Sequence, residues 1–178
     1  MINIRLETPD DISTVRQLTV DAFSSCEFGH NGEADLVEVL RTNHTESISL
    51  IAERNEEQLG HLLFSPATIR TGDTLLSGMG LGPMSVTPNF QGEGIGSKLI
   101  TQGLSLLNEK GCPFVLVLGH PTYYPRFGFD LSEKHHIEHG FKGIGQEYFF
   151  INFLDETIAP SVIGGRAFYS EEFGPQHE

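Results

Sequence analysis

The chain opens on Ile2–Glu7, where apolar and polar residues alternate as in a short strand. Pro9-Asp10-Asp11 then carries helix-start chemistry, with proline and early acidic charge ahead of the first turn. Ile12, Val15, Leu18, Ala22 and Phe23 follow at three- and four-residue spacing, which predicts a helix with one apolar face. Ser24–Gly32 reads as a loop and Glu33–Arg41 as a second short helix with Leu36, Val37 and Leu40 on one side. Ile48–Glu53 and Leu59–Ser65 read as strands around the polar turn Arg54–Gln58. Ala67–Arg70 and Thr74–Ser77 flank Gly72-Asp73, a hairpin turn. The middle of the chain is therefore an antiparallel meander.

The rhythm changes at Leu81–Thr87, a strand punctuated by Gly80, Gly82 and Pro83, which points to a bulge or a close approach to another backbone. After the turn at Pro88-Asn89-Phe90 and a glycine-rich stretch, a helix is predicted from about Ser97 to Lys110. Its buried stripe is Leu99, Ile100, Gly103, Leu104 and Leu107, and Gly111 stands where a helix-ending glycine belongs. Phe114–Leu118 is a continuous apolar strand, as in a sheet centre covered on both faces. Strand, loop, helix and strand make a βαβ crossover on an antiparallel N-terminal half, so the class is mixed α+β. Tyr148–Phe153 reads as a final strand, with Phe149, Phe150 and Phe153 in strand or core, and Glu156–Gln176 as irregular.

With 178 residues, one domain spanning 1–178 is expected, with a core at about 2–130 and a C-terminal extension over 131–178. Apolar residues at 38% and charged residues at 20% exclude wholesale disorder. The net charge of −13 repels a phosphate backbone, so nucleic acid is not the expected partner and a cationic amine is a better one. The longest apolar run, Phe114–Leu118, is far short of a membrane span, and no apolar stretch follows a basic start. Cys26 and Cys112 form no CxxC pair, which fits a cytoplasmic protein with free thiols.

Gly92, Gly94 and Gly96 lie between a strand and the first turn of a helix. There the first backbone N–H groups lack intrahelical partners and the helix dipole is positive, a setting suited to a phosphate or pyrophosphate. The P-loop pattern fails because no Gly-Lys-Ser/Thr follows, and the dinucleotide pattern fails because the spacing is G-x-G-x-G. A glycine-rich turn with no ligand stays open on these residues alone. Gln91-Gly92-Glu93-Gly94-Ile95-Gly96, preceded by the strand end Met84-Ser85-Val86, resembles the Q/R-x-x-G-x-G/A signature of the GCN5-related N-acetyltransferase (GNAT) superfamily. Tyr124-Pro125-Arg126-Phe127-Gly128-Phe129 resembles its Tyr-x-x-x-Gly-Phe segment after the next strand. The resemblance covers about Ile2–Asp130 and is nearest to a bacterial branch of mostly unassigned substrate.

The resemblance implies acetyl-CoA as cosubstrate. Its pyrophosphate would rest on the amides of Gln91–Gly96, with Ser97 opening the helix, and its pantetheine arm along Met84–Val86. It also implies transfer to an amine attacking directly in a ternary complex, with a strand amide near Met84–Val86 as oxyanion donor. Tyr124 stands where the family places its general-acid tyrosine, against the alternative that it only packs. No Asp or Glu occurs over Met79–Val86, where some members place a glutamate. Glu33, at the start of the second helix, and His120, after the Phe114–Leu118 strand, are the candidate bases, each with a structural alternative. His135, His136, Glu138 and His139 make a metal site only if their segment is helical, and a solvated loop is the default. Phe168, Tyr169 and Phe173 either cover a groove or join a homodimer contact. A non-catalytic acyl-CoA-binding module is the competing reading, and a structural domain with an empty loop is the third.

Overall fold

The computed structural model describes residues 1–24 and 32–177, which form two compact units. One comprises Met1–Phe64 and Gly82–Gly103, the other Ser65–Leu81 and Leu104–Glu178.

In the first unit, β1 (Asn3–Leu6) pairs antiparallel with β2 (Ile48–Arg54), and β2 with β3 (Glu57–Thr71). Asn55 and Glu56 form the β2–β3 turn with φ of 52° and 69°. Two positive φ values suit the right-handed twist of a tight hairpin. Helices α1 (Ile12–Ser24) and α2 (Glu33–Asn43) follow β1, and Val15, Val37 and Ile51 meet in one buried cluster. α1 is led in by the 3-10 turn Pro9–Asp11, capped by Thr8. The Asp11 carboxylate accepts from the Thr8 N–H (2.7 Å) and hydroxyl (2.8 Å), from Gln58 Nε2, and from both Nη atoms of Arg5 (2.7 and 2.8 Å).

In the second unit, β3 turns through Gly72-Asp73 into β4 (Thr74–Val86), and β4 pairs parallel with β5 (Phe114–Leu118). The hydrogen-bonded order continues β5-β8-β6, with β8 at Phe149–Phe153 and β6 at Asp130–Leu131. β9 (Arg166–Tyr169) pairs with β3 at Ala67–Arg70 and with β7 (Glu138–His139). Phe114, Leu116, Phe149, Ile151, Ala167 and Tyr169 anchor its core. Helix α3 (Ile95–Glu109) lies between β4 and β5 in the chain, starting in the first unit and ending in the second. Gly111 ends it at φ 74°, with Cys112 N–H bonded to Leu107 C=O and Gly111 N–H to Asn108 C=O. That is the paired bonding of a glycine-terminated helix.

The structure corrects three expectations. The predicted strands Leu59–Ser65 and Ala67–Arg70 are one strand, β3. Pro66 breaks nothing because pairing with β2 ends at Phe64 and pairing with β9 begins at Ala67, so its missing N–H falls at the exchange of partners. Thr74–Ser77 and Leu81–Thr87 are likewise one strand, β4. Two of its glycines admit close neighbours: a β-carbon on Gly78 would lie 2.7 Å from both the ring and the carbonyl oxygen of Phe114, and one on Gly80 would overlap the Tyr169 ring, whereas Gly82 sits at φ 135°. The strand at Phe149–Phe153 is not the last, since β9 lies inside the stretch read as irregular.

Candidate active site

In the first unit, α3 begins two residues before the predicted Ser97, so Ile95 and Gly96 belong to its first turn. The first helical bond runs from Lys98 N–H to Gly94 C=O (3.1 Å). The amides of Ile95 and Gly96 precede it and point out of the helix start. Gly92 and Gly94 sit at φ 84° and 81°, and nothing lies within 4 Å of where their β-carbons would be. The space beside these two glycines is therefore open, and these two φ values are ones that a side chain resists.

Two contacts hold this loop. Gln91 Nε2 donates to the Val86 carbonyl (3.1 Å), tying the loop to the end of β4. Glu93, the acid among the glycines, pairs with Arg54 (3.1 Å), whose guanidinium lies 5.0 Å from the Phe90 ring centroid. The pairing draws the Glu93 charge toward Arg54, which lessens its repulsion of an incoming anion. Met84 and Val86 are half-buried; Ser85 is buried, its hydroxyl 3.3 Å from that of Thr19 on α1. These residues fit a pyrophosphate at the helix start and an extended chain beside the strand end. Glu33 opens α2, and its Oε2 accepts the Gly32 N–H (3.1 Å), which is helix-start behaviour.

In the second unit, the chain leaves β5 through Gly119 and His120 into the 3-10 turn Tyr124–Phe127. Tyr124 is buried against Tyr123, Phe129 and Phe150. Burial, with a smaller contribution from Tyr123, pushes its phenol well above the ordinary tyrosine range, so the side chain carries an O–H to donate. Gly128 closes the turn at φ 83°, and Asn152 Nδ2 donates to the Phe127 carbonyl (2.9 Å). His120 is exposed, its carbonyl accepting Tyr123 N–H (3.0 Å). Cys112 donates to the Phe114 carbonyl (3.2 Å), and burial raises its thiol pKa, which suppresses the thiolate. Cys26 lies outside the described residues.

A family profile for the GNAT acetyltransferase domain matches residues 3–132. The chain is 31% identical over 171 residues to the uncharacterized N-acetyltransferase YhbS of Escherichia coli (strain K12), covering 96% of this chain and 97% of YhbS. The chain belongs to the GNAT acetyltransferase family. It is also 40% identical over 123 residues to the uncharacterized N-acetyltransferase YjhQ of the same organism, across 67% of this chain and 65% of YjhQ. Among solved structures, it resembles a GNAT family acetyltransferase from Brucella melitensis in complex with acetyl-CoA, with 34% identity and a TM-score of 0.78 over 98% of this chain and 99% of that one. It also resembles the YhbS structure in complex with CoA, with 31% identity and a TM-score of 0.83 over 97% and 91%. The fold is thus the GNAT fold.

The rest of the candidate chemistry resolves differently from the GNAT signature. Ser132–His135 is a 3-10 turn and Glu138–His139 a short strand, so His135 and His139 do not share a helix face. His139 is buried beside Phe149 (4.8 Å between ring centroids), its Nδ1 accepting Phe141 N–H (3.2 Å). Among the described residues, no group of three His, Cys, Asp or Glu side chains is placed to hold a metal ion. No described helix is long and apolar enough to cross a membrane.

Sequence reasoning missed Gly119, whose β-carbon, if present, would overlap the Tyr124 ring. Its signal was a lone small residue between an apolar strand and an aromatic pair. Gly119→Ala is expected to cost about 1–3 kcal/mol as the ring is displaced in a packed core. Denaturant unfolding measures this; an unchanged midpoint would mean that the ring moves aside freely.

Proposed function

We propose that this chain is an acetyl-CoA-dependent N-acetyltransferase acting on a primary amine, with 1–178 working as one acetyltransferase domain in the cytoplasm. The open glycine cradle at the start of α3 carries this reading. In it, the amides of Gly92, Gly94, Ile95, Gly96 and Ser97 receive the pyrophosphate, Gln91 and Glu93 shape the loop with their N–H groups donating to the Pro88 and Phe90 carbonyls (3.3 and 3.4 Å), and Met84, Ser85 and Val86 flank the pantetheine arm. The complexes of the Brucella melitensis relative with acetyl-CoA and of YhbS with CoA support the choice of ligand.

In the proposed reaction, the amine nitrogen forms a bond to the thioester carbonyl carbon within the ternary complex. A strand amide near Met84–Val86 stabilises the developing oxyanion, an effect of about 3–4 kcal/mol where such donors are well aimed. The carbon–sulfur bond then breaks, and Tyr124 passes its proton to the departing thiolate. The amine's proton leaves to Glu33 or His120, directly or through water. Holding both reactants together supplies about 7–11 kcal/mol, so a weak base is tolerable. The net charge of −13 favours cationic acceptors, polyamines first.

The test is thermal. Acetyl-CoA at 100 times its Kd should stabilise the chain by about 2.7 kcal/mol, or roughly 5–10 °C at this size. Gly94→Val, which strains a backbone at φ 81° and so shifts the loop amides, should weaken acetyl-CoA binding at least about tenfold. No shift at millimolar acetyl-CoA would overturn the reading. The absence of an acid over Met79–Val86 favours the competing non-catalytic acyl-CoA-binding module. Amine-dependent release of CoA, screened over polyamines, amino acids, aminoglycosides and peptide N-termini, separates the two.

A further inference from the structure

The proposed reaction leaves one buried phenol unused. Tyr169 ends β9, packed against Phe173 (ring centroids 4.6 Å apart) and Phe141 (5.9 Å), with its ring against Gly80. Gln176 brackets its backbone: Oε1 accepts the Tyr169 N–H (2.8 Å) and Nε2 donates to the Tyr169 carbonyl (3.1 Å). Phenylalanine would fill this space equally well, so the hydroxyl is the feature to explain.

That hydroxyl lies 3.3 Å from the Leu81 carbonyl oxygen and 3.1 Å from that of Leu116. Leu81 is on β4 and Leu116 on β5. The parallel ladder between these strands runs from Met79 opposite Val115 to Leu81 opposite Val117. The hydroxyl therefore spans the last rungs of the ladder from one face, sharing its single proton between two carbonyls. Burial drives this phenol far above the ordinary range, so it stays a donor.

We propose that Tyr169 is a positioning residue for acetyl-CoA: its hydroxyl ties the Leu81 and Leu116 carbonyls together and so sets the point from which β4 runs on to Met84–Val86. This rests on the acetyl-CoA reading above. It predicts a selective defect. The pantetheine arm depends on the course of that strand, whereas the pyrophosphate depends on the glycine cradle.

Calorimetric titration of the full chain at 25 °C with two probes tests it: acetyl-CoA, and 3′-phospho-ADP, which has the diphosphate but no pantetheine. Tyr169→Phe should weaken acetyl-CoA at least about tenfold and change 3′-phospho-ADP by less than about twofold. Gly80→Ala, which pushes the same ring from the other side, should reproduce the selective loss. Equal loss of both probes, unchanged acetyl-CoA affinity, or loss of cooperative melting in Tyr169→Phe would each overturn the proposal, the last because the hydroxyl would then hold the unit together. Failure of the unsubstituted chain to bind acetyl-CoA would instead overturn the reading beneath it.

Discussion

Tyr124→Phe is expected to lower kcat about 10²–10³-fold while changing acetyl-CoA affinity by less than about threefold. The substitution keeps the ring and its contacts with Tyr123, Phe129 and Phe150. It removes only the proton that would meet the leaving sulfur, an interaction made in the transition state. Single-turnover release of CoA with an accepted amine measures the first quantity and calorimetry the second. The pH dependence follows from the same burial. A phenol held above the ordinary range stays protonated past pH 10, so the acid contributes no descending limb to kcat in the alkaline range below that. Turnover equal to that of the unsubstituted enzyme would remove Tyr124 from the mechanism and leave it as packing.

Asp11→Ala should destabilise the fold by about 3 kcal/mol, lowering the melting midpoint by roughly 6–12 °C. One buried carboxylate there satisfies donors from Arg5, Thr8 and Gln58, joining β1, the entry to α1 and the start of β3. Its loss strands those donors together. The Arg5 guanidinium, helped by Thr8 and opposed by burial, holds the Asp11 carboxyl well below the usual range. A depressed folded-state value stabilises fully above the unfolded value near 3.9 and is lost as pH falls below it. The stability gap between the natural chain and Asp11→Asn should therefore be constant from pH 5 to 7 and shrink below about pH 4. A gap independent of pH would show that shape rather than charge makes the contact.

Much of this could be read from residue order, and the failures have particular causes. The strand, glycine loop and helix around Gln91–Ser97 were legible because helix-start chemistry is local. So were β5, a pure apolar run, and the glycine stop at Gly111. The lengths of β3 and β4 were not. Pro66 lies between the two stretches read as separate strands, yet it falls where β3 exchanges neighbours, and Gly78 and Gly80 of β4 make room for rings distant in sequence. β9 escaped notice because its pairing depends on β3, about a hundred residues earlier, and no local rhythm marks it. Asp11 was seen as a helix start, but its second duty toward Arg5 and Gln58 needed the fold. The histidine cluster reads by default as a solvated loop; the fold makes it a 3-10 turn and a short strand, with His139 buried.

The Gln176 side chain has a practical bearing. Its amide occupies both hydrogen-bonding groups of the Tyr169 backbone, as a neighbouring strand would, so the edge of β9 past its pairing with β7 is finished by Gln176. Trimming the tail ahead of Gln176 would unseal that edge and invite pairing between molecules.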